Sequence, residues 1–328
     1  MNQAIDNNEK IDRRRFIKRL TKAGISVAAA GALGYAFYDK EGPSGTLEKA
    51  IVSLPDFSVP EAGARMAIVK GADRKDTITK AFAAMGGIET FIKKGDHVLL
   101  KVNAAFATPP ILSATADPGL IARCIELCYS AGAEHVRVTD NPINDPAACF
   151  KLTGIAEAVE SAGGELALPK NDYFKNTSVN GGTLITNWPL LFEPFSGVTK
   201  LIGIAPVKDH QRSGASMSMK NWYGLLGGQR NIFHQDIHNT IKELAMMVKP
   251  TLVILDGTTT MMTNGPTGGS LNDLKDTNTM IVSTDQVAAD AFGCTLLGRT
   301  VNDLPFISKA MEAGVGTVDY QSLDPVYI

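Results

Sequence analysis

Six short apolar runs punctuate the chain, each rich in β-branched residues: Met66 to Lys70, His97 to Val102, His135 to Thr139, Thr199 to Ala205, Thr251 to Asp256 and Thr279 to Ser283. Short and rich in β-branched residues, they predict strands buried on both faces. Between them the period becomes that of an amphipathic helix over Lys75 to Met85, Gly119 to Ala131, Gly154 to Ala162, Gln235 to Val248 and Gln286 to Leu297. The clearest of these opens on Asp117-Pro118, an N-cap followed by a residue already fixed in helical φ, and closes at Gly132. Strands and helices in alternation predict an α/β fold: a mainly parallel sheet flanked by helices, as one domain or two closely joined lobes. From Lys170 to Trp188, asparagines and glycines interrupt any long period and predict turns and a hairpin.

The N-terminus follows a different pattern. Seven basic residues lie between Lys10 and Lys22, and Arg13-Arg14-Arg15-Phe16-Ile17-Lys18 has the form of a twin-arginine export signal. The uncharged, Ala- and Gly-rich stretch from Ala23 to Tyr38 follows. At about 1.5 Å per residue it would span roughly 24 Å, short for a stable membrane helix. Residues 1–38 are therefore expected to be a signal peptide read by the twin-arginine translocase, and 39–60, with Gly42, Pro43, Pro55 and Pro60, a linker to an α/β domain over 61–328. Export to the periplasm or another extracytoplasmic space follows. The weak small-residue motifs at 32–36 leave a membrane-tethered, uncleaved form open.

Setting that segment aside changes the charge balance. Residues 1–38 hold seven Lys/Arg and three Asp/Glu of the chain's 32 and 34, leaving 25 basic and 31 acidic residues, a net −6. An acidic body has no basic excess with which to displace counterions from a phosphate backbone, which argues against a nucleic-acid partner. The four cysteines, Cys124, Cys128, Cys149 and Cys294, form no C-x-x-C and read as buried small side chains, not as a disulfide framework or metal cluster.

In open parallel sheets ligands bind beyond the carboxyl ends of the strands, where loops and helix N-termini converge. Polar residues stand at those positions: Lys101 and Asn103, Asp140 and Asn141, Lys208 and His210, Asp256, and Thr284 with Asp285. Asp140 and Asp285 can equally be read as turn or helix caps, but Lys101 and Lys208 cap nothing. The densest patch, Lys208 to His238, holds three of the five histidines with Arg212, Lys220 and Arg230, interleaved with Ser213, Ser216, Ser218 and Asn221. Such a stretch predicts a loop wrapping an anionic group, with a mobile surface loop as the alternative. His234 and His238, four apart at a helix start, would share one face, as two ligands of a divalent metal do. Ile241 and Ala245 continue that face, so structural histidines at the edge of the core are the competing reading. Asn264-Gly265-Pro266-Thr267-Gly268-Gly269 could turn backbone amides toward a ligand, but it lacks a P-loop lysine and a dinucleotide fingerprint.

These segments together resemble a bacterial and archaeal family, domain of unknown function 362. The likeness is carried by Gly86-Gly87-Ile88-Glu89 with Gly95-Asp96, Lys101-Val102-Asn103, Asp140-Asn141-Pro142, Ser218-Met219-Lys220-Asn221 running on to Gly224, Arg230-Asn231 with Phe233-His234, Asn264-Gly265-Pro266 with Gly268-Gly269, and Thr284-Asp285 to Asp290. Some members carry ferredoxin-type cysteine motifs; without such a run here, that kind of iron–sulfur cluster is not expected. The sequence points first to an exported enzyme for a small anionic substrate. In that reading Lys101, Lys208 and Lys220 neutralise the anion, Asp140 or Asp285 is a general base or metal ligand, and His210 or His234 carries a proton or binds metal. An accessory protein that binds a metal or cofactor for a redox system, or a scaffold, are the alternatives.

Overall fold

A computed structural model describes residues 51–328, together with Ile17, Lys18, Thr21 and Gly24. Most of the predicted signal and most of the predicted linker lie outside the described residues.

The sheet is built as the apolar runs require. β1 (Met66–Lys70), β2 (His97–Lys101) and β3 (His135–Thr139) are followed by β4 (Glu165–Ala167), β7 (Lys200–His210), β8 (Gly214–Ser216), β9 (Leu252–Met261), β10 (Leu274–Ser283) and β11 (Val326–Tyr327). The spatial order is β11-β1-β10-β9-β7-β2-β3-β4, with β8 folded back on β7. Strands β9, β7, β2, β3 and β4 run parallel, and β10 alone is inserted antiparallel between β9 and β1. The mostly parallel α/β architecture is the one the sequence predicts. A separate hairpin of β5 (Phe174–Thr177) and β6 (Trp188–Leu191) occupies the Asn/Gly-rich region.

Alternate strand residues enter two cores. Leu99, Leu201, Val253 and Ile281 face one, while Val98, Leu100, Ile202, Ile254 and Val282 face the other. This explains why those strands read as unbroken apolar runs. One core is closed by α1 (Arg74–Ala84), α2 (Pro118–Ser130) and α4 (Ile155–Ser161). The other is closed by α5 (Ser218–Asn221), α6 (Ile237–Met247), α7 (Gln286–Leu296) and α8 (Pro305–Glu312). In α2 the Asp117 carboxylate accepts from Leu120 N, Pro118 opens the first turn, and Leu120, Ile121, Cys124, Ile125 and Cys128 form the buried stripe. All four cysteines are free and buried, so their apolar reading agrees with the structure.

Three features differ from the sequence reading. The predicted linker does not extend to residue 60: Val52 bridges Thr177, Phe57 N donates to Lys249 O, and Phe57 and Val59 are buried. Two short helices, α3 (Pro146–Leu152) and α8, escape a periodicity search because each spans barely two turns. Finally, β7 and β9 extend well past the apolar runs. β7 continues through Pro206 to His210 because a register shift between Pro206 and Lys208 absorbs the missing proline N–H. Period-two geometry then sends Lys208 and His210 to one face and Asp209 to the other.

Candidate functional site

Lys101 ends β2 with its side chain wholly buried. Its ammonium donates to Val102 O (2.8 Å), Asn221 O (2.6 Å) and Asn221 Oδ1 (3.1 Å), and lies 2.8 Å from Asp140 Oδ1. Three acceptors use the three protons, so Asp140 Oδ1 gains charge but no hydrogen bond, while its Oδ2 accepts from Ala104 N at 2.7 Å. Burial depresses the Lys101 pKa against the pull of Asp140. The pair closes only because residue 224 is glycine: a Cβ there would lie 2.1 Å from Asp140 Oδ1 and 2.7 Å from Lys101 Nζ.

Beside this ion pair opens a cavity of about 130 Å³, bordered by Asn103, Lys208, His210, Lys220, Tyr223 and His234. It is well below the roughly 300–1,000 Å³ of pockets for drug-sized ligands, a size suited to a small metabolite. Two cations reach it with protons to spare. Lys208 is 1% exposed, donates only to Ala114 O and stands over the Phe106 ring at 5.2 Å. Lys220 has no hydrogen-bond partner among the described residues and stands over the Tyr223 ring at 5.0 Å. Burial, then Lys220 and Lys101 against the opposing pull of Asp140, brings Lys208 down to about 7. Burial, then Arg230 and Lys101, brings Lys220 to about 7 as well. Arg230 contributes charge but no free edge, since its two terminal nitrogens donate to Tyr223 O, Leu226 O, Asn141 O and Pro142 O. Asn103 Oδ1 is a buried acceptor without a partner.

Two imidazoles stack at the mouth, centroids 5.7 Å apart and 10° from parallel. Their tautomers follow from their neighbours. Arg212 N and Ser213 N both donate to His210 Nδ1 at 3.2 Å, so the His210 proton sits on Nε2. Tyr223 O–H donates to Arg230 O, so its oxygen accepts from His234 Nδ1 at 3.0 Å, leaving His234 Nε2 as a base. Burial, then Lys220, His234 and Lys208, pushes His210 down to about 2. Burial and Lys220 also lower His234. Both rings are neutral at physiological pH. His210, His234 and Pro266 also border an outer cavity of about 610 Å³, whose other walls include Gln211, Arg212, Asn231 and Gln235.

The segment from Lys208 to His238 is therefore not a mobile surface loop; Ser213 and Ala215 to Tyr223 are buried. A residue that the sequence offered only as the end of a family segment, with no role at the site, holds it. Asp290 of α7, fully buried, accepts from Ser218 N (2.8 Å), Ser218 Oγ and Met219 N (3.2 Å) and so fixes the turn that presents Lys220. Burial raises Asp290 to about 7, opposed by those hydrogen bonds. A lone acid in an uncharged helical stretch was the available signal. Tyr223, Gln286 and Phe106 were missed; Gln286 Oε1 accepts from Trp222 Nε1 at 2.7 Å.

Other predicted residues stand elsewhere. Because β10 is antiparallel, Asp285 lies at the opposite end of the sheet, where its carboxylate caps α7 through Val287 N and Ala288 N and accepts from Thr317 N. His234 and His238 do not share a face. Arg230–Asp236 is a 3₁₀ helix, whose three residues per turn set positions i and i+4 apart, and His238 packs on Phe306. Among the described residues no three His, Cys, Asp or Glu side chains gather as a metal site. Ser213 supports His210 from behind, its hydroxyl turned to Ala215 O. Asn264 donates to Asp273, Gly265 N to Asp209 Oδ2, and Gly268 N to Asn264 O, so the amides of this turn serve the turn itself. Gly268 and Gly269 border neither chamber, and from this segment Pro266 does. Gly265 is needed for closeness: a Cβ would sit 1.8 Å from Asp209 O. Asn141 lines the cavity and donates to Leu226 O.

A second cavity of about 400 Å³, with Ser113 and Thr115 in its wall, lies between Arg74, Asp117, Asp256 and Asp276. There Arg74 Nε meets Asp256 at 2.6 Å and Asp117 at 3.9 Å.

Comparison with known proteins agrees with the resemblance in the sequence. Over 219 residues the chain is 26% identical to a thylakoid-associated protein of Synechocystis, covering 63% of this chain and 64% of that one. Among solved structures it is similar to the lactate racemase apoprotein from Thermoanaerobacterium thermosaccharolyticum, with a TM-score of 0.40 and 12% identity over 75% of this chain. The chain spans 61% of the racemase's length and 64% of the thylakoid-associated protein's. Residues 98–295, which carry both lysines, both histidines and Asp290, match the family described as domain of unknown function (DUF362), and the chain belongs to that family.

Proposed function

We propose that the protein is an enzyme acting on a small organic anion, bound in the 130 Å³ chamber at the carboxyl ends of β2, β3 and β7. The observation that carries this reading is the imbalance of buried charge. Lys208 and Lys220 have unspent protons in a chamber whose one carboxylate, Asp140, is committed to Lys101. Burying cations without counter-charge is costly, and a ligand that supplies the charge recovers that cost.

In this reading Lys208 takes the anionic group with its two free protons. His234 Nε2 removes a proton from the substrate, and the His210 Nε2–H holds the oxygen on which charge develops. The lysine charges stabilise that same oxygen. Lys101 and Arg230 shape the wall and its potential, the Lys101 ammonium and both Arg230 terminal nitrogens being already given to protein acceptors. The outer cavity, which shares His210 and His234, is the route of entry. The arrangement gives no support to metal-assisted chemistry through His234 and His238, whose rings have separate partners. The Arg13-Arg14-x-Phe-Ile-Lys segment supports export by the twin-arginine route, which cell fractionation after Arg13→Lys with Arg14→Lys tests; an unchanged distribution would refute it.

The test of the site is thermal stabilisation by phosphate, by short 2-hydroxy acids and by 2-oxo acids. Stabilisation of the parent that is lost in Lys208→Met is expected. A parent that responds to none of them, or a variant that responds equally, would refute the reading.

A further inference from the structure

The four cations around the chamber differ in what their nitrogens can still do. Lys101 has given all three protons to acceptors, Arg230 has given its terminal nitrogens to four carbonyls, and Lys208 has given one of three. Lys220 alone of the four has given none among the described residues, yet it is 8% exposed and rests on an aromatic ring. Lys220 borders the same chamber as His210 and His234, and the Tyr223 ring on which it rests meets the His234 ring edge-on at 5.0 Å. A desolvated amine, surrounded by other cations and adjacent to a neutral base, is the environment of an amine nucleophile.

We propose that Lys220 forms an imine with a 2-oxo acid whose carboxylate is held by Lys208. This inference rests on the anion-binding reading above and goes beyond it by naming the substrate class and the covalent step. The neutral amine of Lys220 attacks the carbonyl carbon; the C–N bond forms as the carbonyl π bond opens, and the oxygen takes a proton. His234 Nε2 relays both amine protons in turn to that oxygen, which leaves as water when the C=N bond forms. No oxidant or reductant is consumed. Held at about 7 by burial and then by Arg230 and Lys101, Lys220 is substantially unprotonated at neutral pH, as the attack requires. The His210 Nε2–H donor faces the oxygen as charge develops on it. Asp290, through Ser218 and Met219, is a positioning residue for this amine.

The full-length protein is incubated with pyruvate and sodium cyanoborohydride, and intact mass and peptide mapping locate the reduced adduct. One adduct per chain at Lys220 is expected. It should be absent in Lys220→Arg, which keeps the charge and whose folding is checked by its melting curve. In Lys208→Met it should form at the same residue but need about a hundredfold more pyruvate, the loss of one charge-assisted contact. Adducts scattered over exposed lysines, or placed on Lys208, would overturn the proposal. So would the absence of any adduct with pyruvate, glyoxylate and 2-oxoglutarate while the same acids still raise the melting temperature; the anion site would then stand and the imine fall. Neither trapping nor stabilisation would remove both.

Discussion

Two cavities, one around Arg74 and Asp256 and one around Lys208 and Lys220, handle buried charge in opposite ways. In the larger one, burial pulls Arg74 down but Asp256, with Asp117 and Asp276, more than offsets it, and the guanidinium ends above its ordinary value. In the smaller one Lys208 and Lys220 are more deeply buried, with no carboxylate in contact among the described residues, and both fall to about 7. In the first cavity the cation already has its counter-charge. The second waits for charge from outside, and that difference, not volume, distinguishes a candidate site from a gap between loops.

The largest effect expected is on the ion pair that walls the chamber. Lys101→Met leaves Asp140 buried without its cation and should cost about 3–5 kcal/mol in urea unfolding. Lys208→Met, by contrast, removes a buried cation with no ion-pair partner and should leave the ligand-free protein as stable as the parent or more so. It should abolish the ligand-induced gain, which for the parent is about 2.7 kcal/mol at a hundredfold excess over Kd. If Lys208→Met destabilised as much as Lys101→Met, the contrast between paired and unpaired lysines would collapse.

Gly224→Ala should cost about 1–3 kcal/mol, because its Cβ would occupy the space of the Asp140–Lys101 pair. A circular-dichroism melt reports it. Smaller per unit of pH is the titration of the unpaired lysines. Their folded pKa lies below the unfolded value, so between about 7 and the ordinary lysine value the unfolded chain holds more protons than the native one. Stability of the ligand-free protein from this source therefore rises with pH across that window, by at most about 1.4 kcal/mol per unit per lysine, and is lost as pH falls through about 7. Anion affinity should run the other way, tightening as pH falls, and Lys208→Met should flatten both curves. The least effect belongs to the other cavity. Asp276→Asn, at an exposed position, should change stability by no more than about 0.5 kcal/mol and leave anion affinity untouched. An altered affinity would show that the two cavities are coupled.

Much of the site was legible in outline. Lys101, Asp140, Lys208, His210, Lys220 and His234 stand out because polar residues directly after or between apolar runs have few structural excuses. Their division of labour was not legible. Lys101 and Lys208 look alike in sequence, and Lys101 is spent while Lys208 is not because Asp140 and Asn221 arrive from other parts of the chain. Asp285 looked like Asp140, just past an apolar run, but strand direction placed it at the far end of the sheet. His234 and His238 had a helical spacing that the 3₁₀ turn does not keep. Asp290 was hidden by its own context, since its partners, Ser218 and Met219, lie 72 and 71 residues away in the chain.

The sequence by itself determined the alternation of buried strands and amphipathic helices, the mostly parallel class of the sheet, the apolar role of the cysteines and an acidic body with a basic segment inside it. These follow from local periodicity and from counts, which need no partner. Tertiary structure decided which of the polar residues meet, which protons remain unspent and which imidazole nitrogen carries hydrogen. Those properties depend on the direction of one strand, a register shift at Pro206 and contacts between residues more than a hundred positions apart, as between Lys101 and Asn221. The ionic character of a side chain is written in its chemistry, but whether its charge is satisfied is a property of its neighbours.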